Sequence, residues 1–366
     1  MIRILHVVTI MNRGGLETFI MNVYRSIDRQ KVQFDFLVHR DEVGDYDEEI
    51  QNLGGRIFKV KNFNPISISY YKDLYSKIKQ NKSAAAIHVH MDCTSGVVLL
   101  VAKLVGIKVR IAHAHTASLD RNWKRIVKIL LKPLIKYFAT NLFACGAAAG
   151  DFVFGKRIKF EILNNGIDVD KFRFDGEMRA VVRRELGISN ERVILHVGRF
   201  DEVKNQIYIV KNLCCYEKNN KNYCFLFVGD GVLKKQIEEF CVKEKCKNVK
   251  FLGKRNDVDR LLQAADLFVF PSLYEGVSLA IIEAQASGLF CLINDQIPHE
   301  CKVTERVLFE SLKNPSKWVY WIENNHSDLR EIYADKVRMK GFDIYFTAKK
   351  LQKFYLDSCN KIKYLS

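Results

Sequence analysis

Residues 265–288, ADLFVFPSLYEGVSLAIIEAQASG, contain a short apolar run, a proline, a Glu-Gly turn and a helical pattern in succession. The apolar run Leu267–Phe270 has no polar interruption, as expected of a strand covered on both faces, and Pro271 ends it because proline has no N–H to donate. Ser278 is a suitable N-cap for a helix over residues 279–287. The stretch therefore predicts a helix that starts at the carboxyl end of a parallel strand, where open α/β sheets bind ligands and a helix N-terminus favours phosphate.

Two carboxylates frame this stretch, Glu275 in the loop and Glu283 in the predicted helix. On one continuous helix, side chains eight residues apart would point about 80° apart, but Glu275 precedes the helix, so both can face one ligand. An arbitrary pair of glutamates at this spacing is more often a solvated loop residue and an exposed helix residue. The spacing alone therefore does not decide between a structural pair and a binding pair.

Residues 271–288 resemble the signature of retaining glycosyltransferase family 4, whose fold is GT-B. In that family the loop glutamate binds the donor sugar and the helix glutamate binds the nucleotide ribose. The resemblance implies these roles for Glu275 and Glu283. It also implies donor contacts along the helix start, from Gly276, Val277, Ser278 and Leu279. The chain departs from the family pattern after Gly288, where Leu289 and Phe290 stand in place of the usual residue and proline.

The 366-residue chain is too long for one ordinary core, which favours two domains of about 150 to 200 residues. No run of 18 apolar residues occurs, and residues 1–15 have the pattern of a first strand and a glycine-rich loop. We therefore expect a cytoplasmic protein without a signal peptide. The ten cysteines lack C-x-x-C spacing, so neither a zinc site nor a disulfide framework is predicted.

The chain is basic, with 58 Lys and Arg against 42 Asp and Glu. The excess is uneven, because residues 1–173 hold 27 basic and 16 acidic side chains. A basic first half indicates a polyanionic partner, which could be a membrane surface, a phosphorylated substrate or nucleic acid. A nucleic-acid-binding protein is thus an alternative, although no RNA-binding signature with interleaved aromatic residues is present.

The first half alternates predicted strands and helices, beginning with a strand over residues 2–9 and a turn at Gly14 and Gly15. Without a full G-x-G-x-x-G motif this turn is a weak phosphate signal. In family 4 a Gly-Gly pair at this place lies beside the donor diphosphate, and Gly14 and Gly15 fit that position. A later strand, residues 110–115, ends in two histidines. The resemblance assigns His115 to the place near the reacting carbon of the donor, whereas His113 is expected to face the other side of the strand.

Three D-x-D pairs have the spacing seen in metal-dependent glycosyltransferases. Asp45 and Asp47 open a helical pattern, where acidic residues offset the helix N-terminus, and the other two pairs are discounted in the same way. Those pairs are Asp168 with Asp170 and Asp257 with Asp259. We therefore expect a metal-independent enzyme without a cofactor.

Residues 121–136, RNWKRIVKILLKPLIK, carry six basic side chains and no acidic one, with apolar residues at helical spacing between them. This pattern is typical of an interfacial helix, and a structural helix with a basic solvated face is the alternative. We expect docking on an anionic membrane through five side chains: Trp123, Lys124, Arg125, Lys128 and Lys132. Pro133 is expected to kink or end the helix.

The second half opens with a predicted strand over residues 192–197 and the loop Gly198-Arg199-Phe200-Asp201-Glu202-Val203-Lys204-Asn205. An arginine and a lysine on one loop can form a cationic clamp for a diphosphate. The loop resembles the G-R-x4-K-N segment of family 4, which implies this role for Arg199 and Lys204. The resemblance also places main chain at Gly229 near the nucleotide, and main chain at Gly253, Lys254 and Arg255 against the base.

Together these motifs resemble a GT-B enzyme over nearly the whole chain. The resemblance implies an N-terminal domain at 1–173, a nucleotide-sugar domain at 174–342 and a terminal helix at 343–366 that packs back on the first domain, with strand ends meeting at a shared cleft. The implied reaction moves a hexose or N-acetylhexosamine from a UDP-type donor to a saccharide acceptor, with retention. The acceptor is expected to be lipid-linked, in capsule or other surface polysaccharide synthesis, with the enzyme at the inner face of the membrane. The rival enzyme class is a glycoside hydrolase that uses Glu275 and Glu283.

Overall fold

The computed structural model describes residues 1–117, 124–214, 222–325 and 328–363, without the side chains of Lys124 and residues 361–363. The chain forms two compact units. Unit 1 comprises Met1–Gly166 with Ile344–Ser366, and unit 2 comprises Ile167–Asp343. Each unit has its own all-parallel sheet, so the prediction of an α/β fold with two Rossmann-like domains is confirmed.

Unit 1 is built on a seven-stranded sheet in the order β3-β2-β1-β4-β5-β6-β7. The strands are β1 Ile2–Val8, β2 Val32–Val38, β3 Ile57–Lys59, β4 Ala86–Val89, β5 Val109–Ala114, β6 Asn141–Ala144 and β7 Glu161–Ile162. The interior strand β1 pairs with β2 and with β4, and His6 of β1 lies opposite His88 of β4. Strand β7, which is only two residues long and exposed, was not predicted from the sequence.

The helices of unit 1 are α1 Gly15–Ser26, α2 Asp47–Asn52, α3 Ile68–Gln80, α4 Ser95–Val105, α5 Lys124–Leu131, α6 Leu134–Phe138, α7 Ala147–Phe154 and α16 Ile344–Lys363. Ser67 caps α3 by accepting the N–H of Tyr70. Residues 121–136 do not form one helix, because Pro133 separates α5 from α6. Residues 118–123, with the predicted membrane residue Trp123, lie outside the described part of the chain.

The long helix α16 follows unit 2 in the chain but packs on unit 1. Its Tyr355 hydroxyl lies 2.7 Å from His88 Nδ1, and its Gln352 side chain accepts the N–H of Asp28. The units divide after Gly166 and after Asp343, whereas the sequence placed the boundaries after residues 173 and 342. Residues 167–173 lie in unit 2 because Ile167 bridges to Asp343 and because the Arg173 guanidinium pairs with Asp335 at 2.7 Å.

Unit 2 is built on a six-stranded sheet in the order β10-β9-β8-β11-β12-β13. The strands are β8 Arg192–Val197, β9 Tyr223–Val228, β10 Val249–Phe251, β11 Leu267–Phe270, β12 Phe290–Asn294 and β13 Val307–Glu310. The helices are α8 Val169–Phe172, α9 Gly176–Glu185, α10 Gln206–Ile209, α11 Lys234–Lys243, α12 Val258–Ala264, α13 Leu279–Ala286, α14 Pro315–Asn324 and α15 Tyr333–Met339. Strand β11 is fully buried, as its uninterrupted apolar sequence predicts. The edge strand β13 was not predicted.

A buried arginine fixes the end of α13. The guanidinium of Arg330 donates to the carbonyl oxygens of Ser287, Ala265 and Leu262, at 2.8 to 2.9 Å. Gly288 ends the helix in a left-handed conformation, with φ of 68°, and a Cβ there would lie 2.6 Å from Arg330 Cα. The glycine is therefore required both by its backbone conformation and by the close approach of Arg330.

Candidate functional site

The loop after β8 carries two cations that Asp201 organises. The Arg199 side chain is 77% exposed, and its Nε donates to Asp201 Oδ2 at 2.7 Å. The other carboxylate oxygen of Asp201 accepts the backbone N–H of Lys204 at 2.9 Å. Asp201 thus fixes the backbone of the loop and holds the exposed guanidinium at its surface. The sequence prediction named both cations but missed Asp201, although an acid between them in one loop was a usable signal.

Lys204 and Glu275 meet across the ends of two neighbouring strands. The ammonium Nζ of Lys204 lies 2.5 Å from Glu275 Oε1 and 4.8 Å from the centre of the Phe270 ring. The two charged side chains are mostly buried, with 21% and 16% exposed. Because β8 and β11 pair in parallel, their following loops leave the same edge of the sheet. The structure therefore brings together two of the residues that the sequence predicted for one site.

Backbone contacts hold these two loops against each other. The N–H of Leu273 donates to the Val203 carbonyl at 2.8 Å, and the Asn205 side-chain amide donates to the Pro271 carbonyl at 3.2 Å. Asn205 itself adopts a left-handed conformation, with φ of 55°, which asparagine tolerates better than most residues. Lys204 and Glu275 therefore lie on a preorganised frame.

Glycine turns complete the same edge of the sheet. Gly229 has φ of 135°, and a Cβ there would lie 2.1 Å from the Gly198 carbonyl oxygen. Its N–H donates to the Gly253 carbonyl at 2.8 Å, so the turns after β8, β9 and β10 lie side by side. At Gly253, in contrast, a Cβ would meet nothing within 4 Å. The main chain is therefore accessible at Gly253, where the resemblance places the nucleotide base.

Lys254 and Arg255, also predicted to contact the donor, follow Gly253. The Arg255 guanidinium is bound by both carboxylate oxygens of Asp257, at 2.7 and 2.6 Å, and Lys254 is exposed. Arg255 therefore has a structural partner within its own loop. The prediction for these two residues concerned their main chain, which this pairing leaves unaltered.

Glu283 lies on α13 with its side chain partly buried. Burial raises the pKa of this carboxyl to about 7, while nearby Lys171 lowers it. Lys171 also pairs with Asp259 at 3.3 Å. Glu283 is thus a carboxyl whose desolvation is only partly offset, a property that is common at functional sites.

The helix start beside Glu283 differs in one detail from the prediction. Ser278 occupies the N-cap position of α13 in an extended conformation, but its hydroxyl makes no capping hydrogen bond. The expected side-chain cap was wrong. Val277 and Leu279 on either side are buried, and Gly276 accepts a weak hydrogen bond from the Cys301 thiol at 3.5 Å.

The raised pKa of Glu283 predicts that this side chain makes the stability of the protein depend on pH. Its folded-state pKa lies above the ordinary value, so this carboxyl favours folding below pH 4.5 and loses that contribution as the pH rises through about 7. We expect Glu283→Gln to raise Tm at pH 8 relative to wild type, and the gap to narrow by pH 5. Differential scanning fluorimetry between pH 5 and pH 8 measures this difference in Tm. Glu238→Gln, at a surface carboxylate that pairs with Lys234, is the control. An equal gap at both pH values would contradict the prediction.

In unit 1, the Gly14-Gly15 turn opens the N-terminus of α1. Gly14 is the N-cap in an extended conformation, and a Cβ on it would meet only the flexible end of the Glu17 side chain. A Cβ on Gly15 would meet nothing within 4 Å. The first turn of α1 is therefore open at Gly15, as a helix start that receives a phosphate must be.

His115 follows β5 and is fixed at both its backbone and its ring. Its N–H donates to Asp92 Oδ1 at 2.7 Å, and its Nε2 lies 3.0 Å from His90 Nδ1. Burial lowers the pKa of His115 to about 3, so the ring is neutral at pH 7. A neutral imidazole can donate or accept one hydrogen bond at its remaining nitrogen, Nδ1.

His113 lies on the same side as His115, with ring centroids 4.1 Å apart. The prediction that it faces the other side of the strand was wrong, because residues two apart in a strand point to the same face. Both belong to a cluster of buried or half-buried histidines in unit 1: His6, His88, His90, His113 and His115. The sequence prediction missed this cluster, although two H-x-H motifs on adjacent strands β4 and β5 were a usable signal.

Each D-x-D carboxylate has a hydrogen-bond or ion-pair partner in the protein. Asp45 accepts the N–H of Arg13 at 3.1 Å, and Asp47 accepts the N–H of Gly44 at 3.0 Å. The remaining four side chains bind a backbone N–H or a cation: Asp168 with Lys171 N, Asp170 with Arg338, Asp257 with Arg255 and Asp259 with Lys171. Each of the six carboxylates therefore has a structural role.

The basic segment keeps apolar side chains at the surface. On α5, Ile126, Ile129 and Leu130 are 66%, 49% and 71% exposed and share one helix face. The helix packs on the turn Asp92–Thr94, which precedes α4. In the described part of the chain, no helix combines the length and the apolar character needed to cross a membrane.

Comparisons with known proteins agree with this geometry. The family model described as "Glycosyltransferase Family 4" matches residues 13–171, and "Glycosyl transferases group 1" matches residues 178–306. The chain is 40% identical over 307 residues to the "Putative glycosyltransferase EpsF" of Bacillus subtilis, covering 81% of this chain and 79% of that protein.

A second relative and a solved structure extend the comparison. The chain is 27% identical over 317 residues to the UDP-Gal:alpha-D-GlcNAc-diphosphoundecaprenol alpha-1,3-galactosyltransferase of Escherichia coli, covering 80% of this chain and 81% of that protein. Anabaena HepE, crystallised with UDP and glucose, superimposes with a TM-score of 0.77 at 16% identity, covering 97% of this chain and 99% of that one. At this identity the structural match supports the fold alone.

Proposed function

The chain belongs to glycosyltransferase family 4, and from this premise we propose that it moves a sugar from a UDP-sugar to a lipid-linked saccharide with retention of configuration. The sugar is a hexose or N-acetylhexosamine, and the product is part of a surface polysaccharide such as a capsule. The observation that carries the proposal is the contact of Lys204 with Glu275 beside the glycine turns of unit 2. This contact places a cation that can bind phosphate, Lys204, beside a carboxylate that can accept hydrogen bonds from sugar hydroxyls, Glu275.

Lys204 and Arg199 act on the leaving group. In the reaction, the bond between the anomeric carbon and the diphosphate oxygen breaks, and its electron pair leaves with UDP. The acceptor hydroxyl oxygen forms the new bond on the same face of the sugar, and its proton passes to the departing diphosphate oxygen. Negative charge therefore grows on the diphosphate, and fixed cations stabilise that charge more in the transition state than in the bound substrate.

Glu275, Glu283 and His115 act on the sugar and the nucleotide. Glu275 accepts hydrogen bonds from the hydroxyls of the donor sugar, and its ion pair with Lys204 fixes the orientation of its carboxylate. Glu283 accepts from the ribose hydroxyls. In unit 1, the neutral His115 contacts the sugar near the reacting carbon, and Gly14 and Gly15 admit the diphosphate at the start of α1.

The donor and acceptor classes rest on relatives. UDP is the nucleotide in the structure of Anabaena HepE, and the name of the Escherichia coli relative gives a UDP-linked donor and a diphosphoundecaprenol acceptor. A glycoside hydrolase has no diphosphate to neutralise, so the placement of the Lys204 ammonium beside Glu275 disfavours that alternative. A nucleic-acid-binding protein would not need the acidic residues of α13 and its preceding loop.

A thermal-shift screen of nucleotide sugars tests the proposed donor. A ligand that binds only the folded protein raises Tm, and at 100 times its Kd it stabilises by about 2.7 kcal/mol. We expect at least one UDP-sugar to raise Tm more than UDP alone and more than the matching GDP-sugar or ADP-sugar. The absence of a shift with every nucleotide sugar would contradict a donor site.

Transfer is expected to need no added Mg²⁺ or Mn²⁺. Lys204 and Arg199 supply the charge that such a cation would provide, and oxygen ligands, which these ions prefer, are occupied in the D-x-D pairs. The measurement is turnover in metal-depleted buffer before and after either ion is added. A large gain on addition would give the D-x-D residues Asp45 and Asp47 a catalytic role.

The enzyme docks on an anionic membrane through α5. Exposed Ile126, Ile129 and Leu130 can insert shallowly, and Lys124, Arg125, Lys128 and Lys132 carry charges that anionic headgroups attract. Each basic residue near such a surface contributes about 1 kcal/mol, enough for reversible binding by several together. Docking places the acceptor lipid close to unit 1, whose Asp92 turn packs against α5.

Sedimentation with vesicles tests this docking. Wild type is expected to pellet with vesicles that contain phosphatidylglycerol and to stay in solution with pure phosphatidylcholine. Changing Lys124, Arg125, Lys128 and Lys132 to glutamine should abolish pelleting. The matched control changes four basic residues on or after α3 instead: Lys72, Lys77, Lys79 and Lys82. If both variants lose pelleting equally, the binding depends on the net charge of the protein and not on α5. If wild type does not pellet with anionic vesicles, membrane docking is contradicted.

A further inference from the structure

We propose that His90, His113 and His115 bind one divalent transition-metal ion of the zinc class. The three residues come from the carboxyl ends of adjacent strands β4 and β5 in unit 1. One nitrogen from each lies within 4.8 Å of the others. The site shares His115 with the proposed sugar contact and is distinct from the D-x-D carboxylates.

Unpartnered nitrogens are the first observation in favour of an ion. Both ring nitrogens of the fully buried His113 have no hydrogen-bond partner. A buried polar atom without a partner costs about 1 to 3 kcal/mol, so most such atoms in folded proteins contact an ion, a water or another polar group. A metal ion bound by His113 would satisfy one of its two ring nitrogens.

The spacing of the rings is the second observation. His90 Nδ1 and His115 Nε2 lie 3.0 Å apart. Two histidine nitrogens on a tetrahedral zinc ion, each at about 2.0 to 2.1 Å, are separated by about 3.3 Å. Small ring movements therefore convert this hydrogen-bonded pair into two ligands. The His113 ring completes the set, with its centroid 4.1 Å from that of His115 and 5.3 Å from that of His90.

The surroundings supply outer partners for the ligands. If His90 binds the ion through Nδ1, its Nε2–H donates to His6 Nδ1, which lies 3.0 Å away. Such a hydrogen bond at the second nitrogen accompanies most metal-bound histidines. The carboxylate of Asp92 holds the backbone of His115 at 2.7 Å. The cluster thus offers ligands and an outer partner.

A second set of three, His6, His88 and His90, has the same ligand spacing. All three of those side chains are fully buried, and Tyr355 already contacts His88 Nδ1. His115, in contrast, is only half-buried, which gives an ion access and leaves a coordination position for water or a substrate oxygen. We therefore assign the ion to His90, His113 and His115.

The ion would set the tautomer of His115. Coordination through Nε2 leaves the ring proton on Nδ1, where it can only be donated. Three neutral imidazoles suit Zn²⁺, Co²⁺, Ni²⁺ or Cu²⁺, whereas Mg²⁺ and Mn²⁺ prefer oxygen ligands. The proposal is therefore compatible with transfer that needs no added Mg²⁺ or Mn²⁺. It does not depend on the proposed sugar contact of His115.

Titration of the metal-depleted full chain with Co²⁺ tests the proposal, because bound Co²⁺ has visible absorption bands that report its coordination. We expect one equivalent to bind with four-coordinate spectra and to raise Tm. His113→Gln and His115→Gln should each weaken binding at least tenfold, whereas His88→Gln should retain it. His196→Gln, at a buried histidine of unit 2 with an unpartnered Nε2, is the matched control.

Two outcomes would overturn the assignment. Wild type without a bound equivalent of Co²⁺ or Zn²⁺ would show that the nitrogens are satisfied by water or left unpaired. Loss of binding in His88→Gln, with retention in His113→Gln, would place the ion on the other three histidines. Circular dichroism of each variant separates loss of folding from loss of a ligand. Because His115 is only half-buried, His115→Gln is the variant that should disturb the core least.

Discussion

Lys204→Ala is expected to lower kcat by about 10²-fold or more, with a much smaller effect on the KM for the acceptor. The lysine ammonium is mostly buried against Glu275 and the Phe270 ring, so its charge acts in a site where water screens it little. The charge matters most as the diphosphate departs. Steady-state kinetics at saturating acceptor measure the effect, and near-normal kcat would remove Lys204 from catalysis.

The variant also leaves the Glu275 carboxylate without its partner, and two controls separate that effect. The double variant Lys204→Ala with Glu275→Gln removes both charges, so a loss caused by the unpaired carboxylate would be largely restored. Lys234→Ala removes a lysine from a surface pair with Glu238 and should leave kcat unchanged. Glu275→Gln alone gives the loss due to the sugar contact, and a double variant with a much lower kcat than Glu275→Gln supports stabilisation of the leaving group by Lys204.

Arg199→Ala should lower kcat in the same direction. The guanidinium is held at the surface by Asp201, so donor binding must bring the diphosphate to it. Asp201→Asn is informative here because it removes the carboxylate that orders Arg199 and the Lys204 backbone, while both cations remain. A kcat in Asp201→Asn as low as in Arg199→Ala would indicate that the position of the cations matters as much as their presence.

Glu283→Ala is expected to raise the KM for donor by about 10 to 150-fold, because a hydrogen bond to a charged group contributes about 1.5 to 3 kcal/mol. In wild type, 2′- and 3′-deoxyribose analogues of the donor should bind more weakly than the donor itself. In the variant they should bind almost as well as the donor. The measurement is competitive inhibition by each analogue.

Glu283→Gln is the matched variant for this prediction. It keeps one acceptor oxygen and removes the charge, so its KM should lie between those of wild type and Glu283→Ala. A Glu283→Ala variant that still distinguishes donor from deoxyribose analogues as wild type does would show that Glu283 does not contact ribose.

Local sequence patterns were sufficient for most of the sheet framework. Uninterrupted apolar runs such as Leu267–Phe270 mark strands buried on both faces, and Gly14 and Gly288 mark a helix start and a helix end. The short edge strands β7 and β13 were missed because an edge strand has few buried positions and so carries little pattern. The sequence put the first unit boundary after residue 173 and not after Gly166. The observed boundary depends on pairing between Ile167 and Asp343, which are far apart in the chain.

The candidate site was predictable where one loop carries its residues, and less so where packing decides. Arg199 and Lys204 were identified, but not the role of Asp201 in ordering them. The contact of Lys204 with Glu275 joins residues 71 positions apart and depends on the adjacency of β8 and β11. The histidine cluster likewise depends on the adjacency of β1, β4 and β5, which periodicity alone does not give.

The measurement that tests the central claim most directly is the anomeric configuration of the product. The UDP-sugar found by thermal shift is incubated with a diphosphoundecaprenol-linked saccharide, and the new linkage is examined by ¹H NMR while released UDP is quantified. We expect one UDP for each sugar transferred and a glycosidic bond with the anomeric configuration of the donor. An inverted linkage, or free sugar released in place of a glycoside, would contradict a retaining glycosyltransferase.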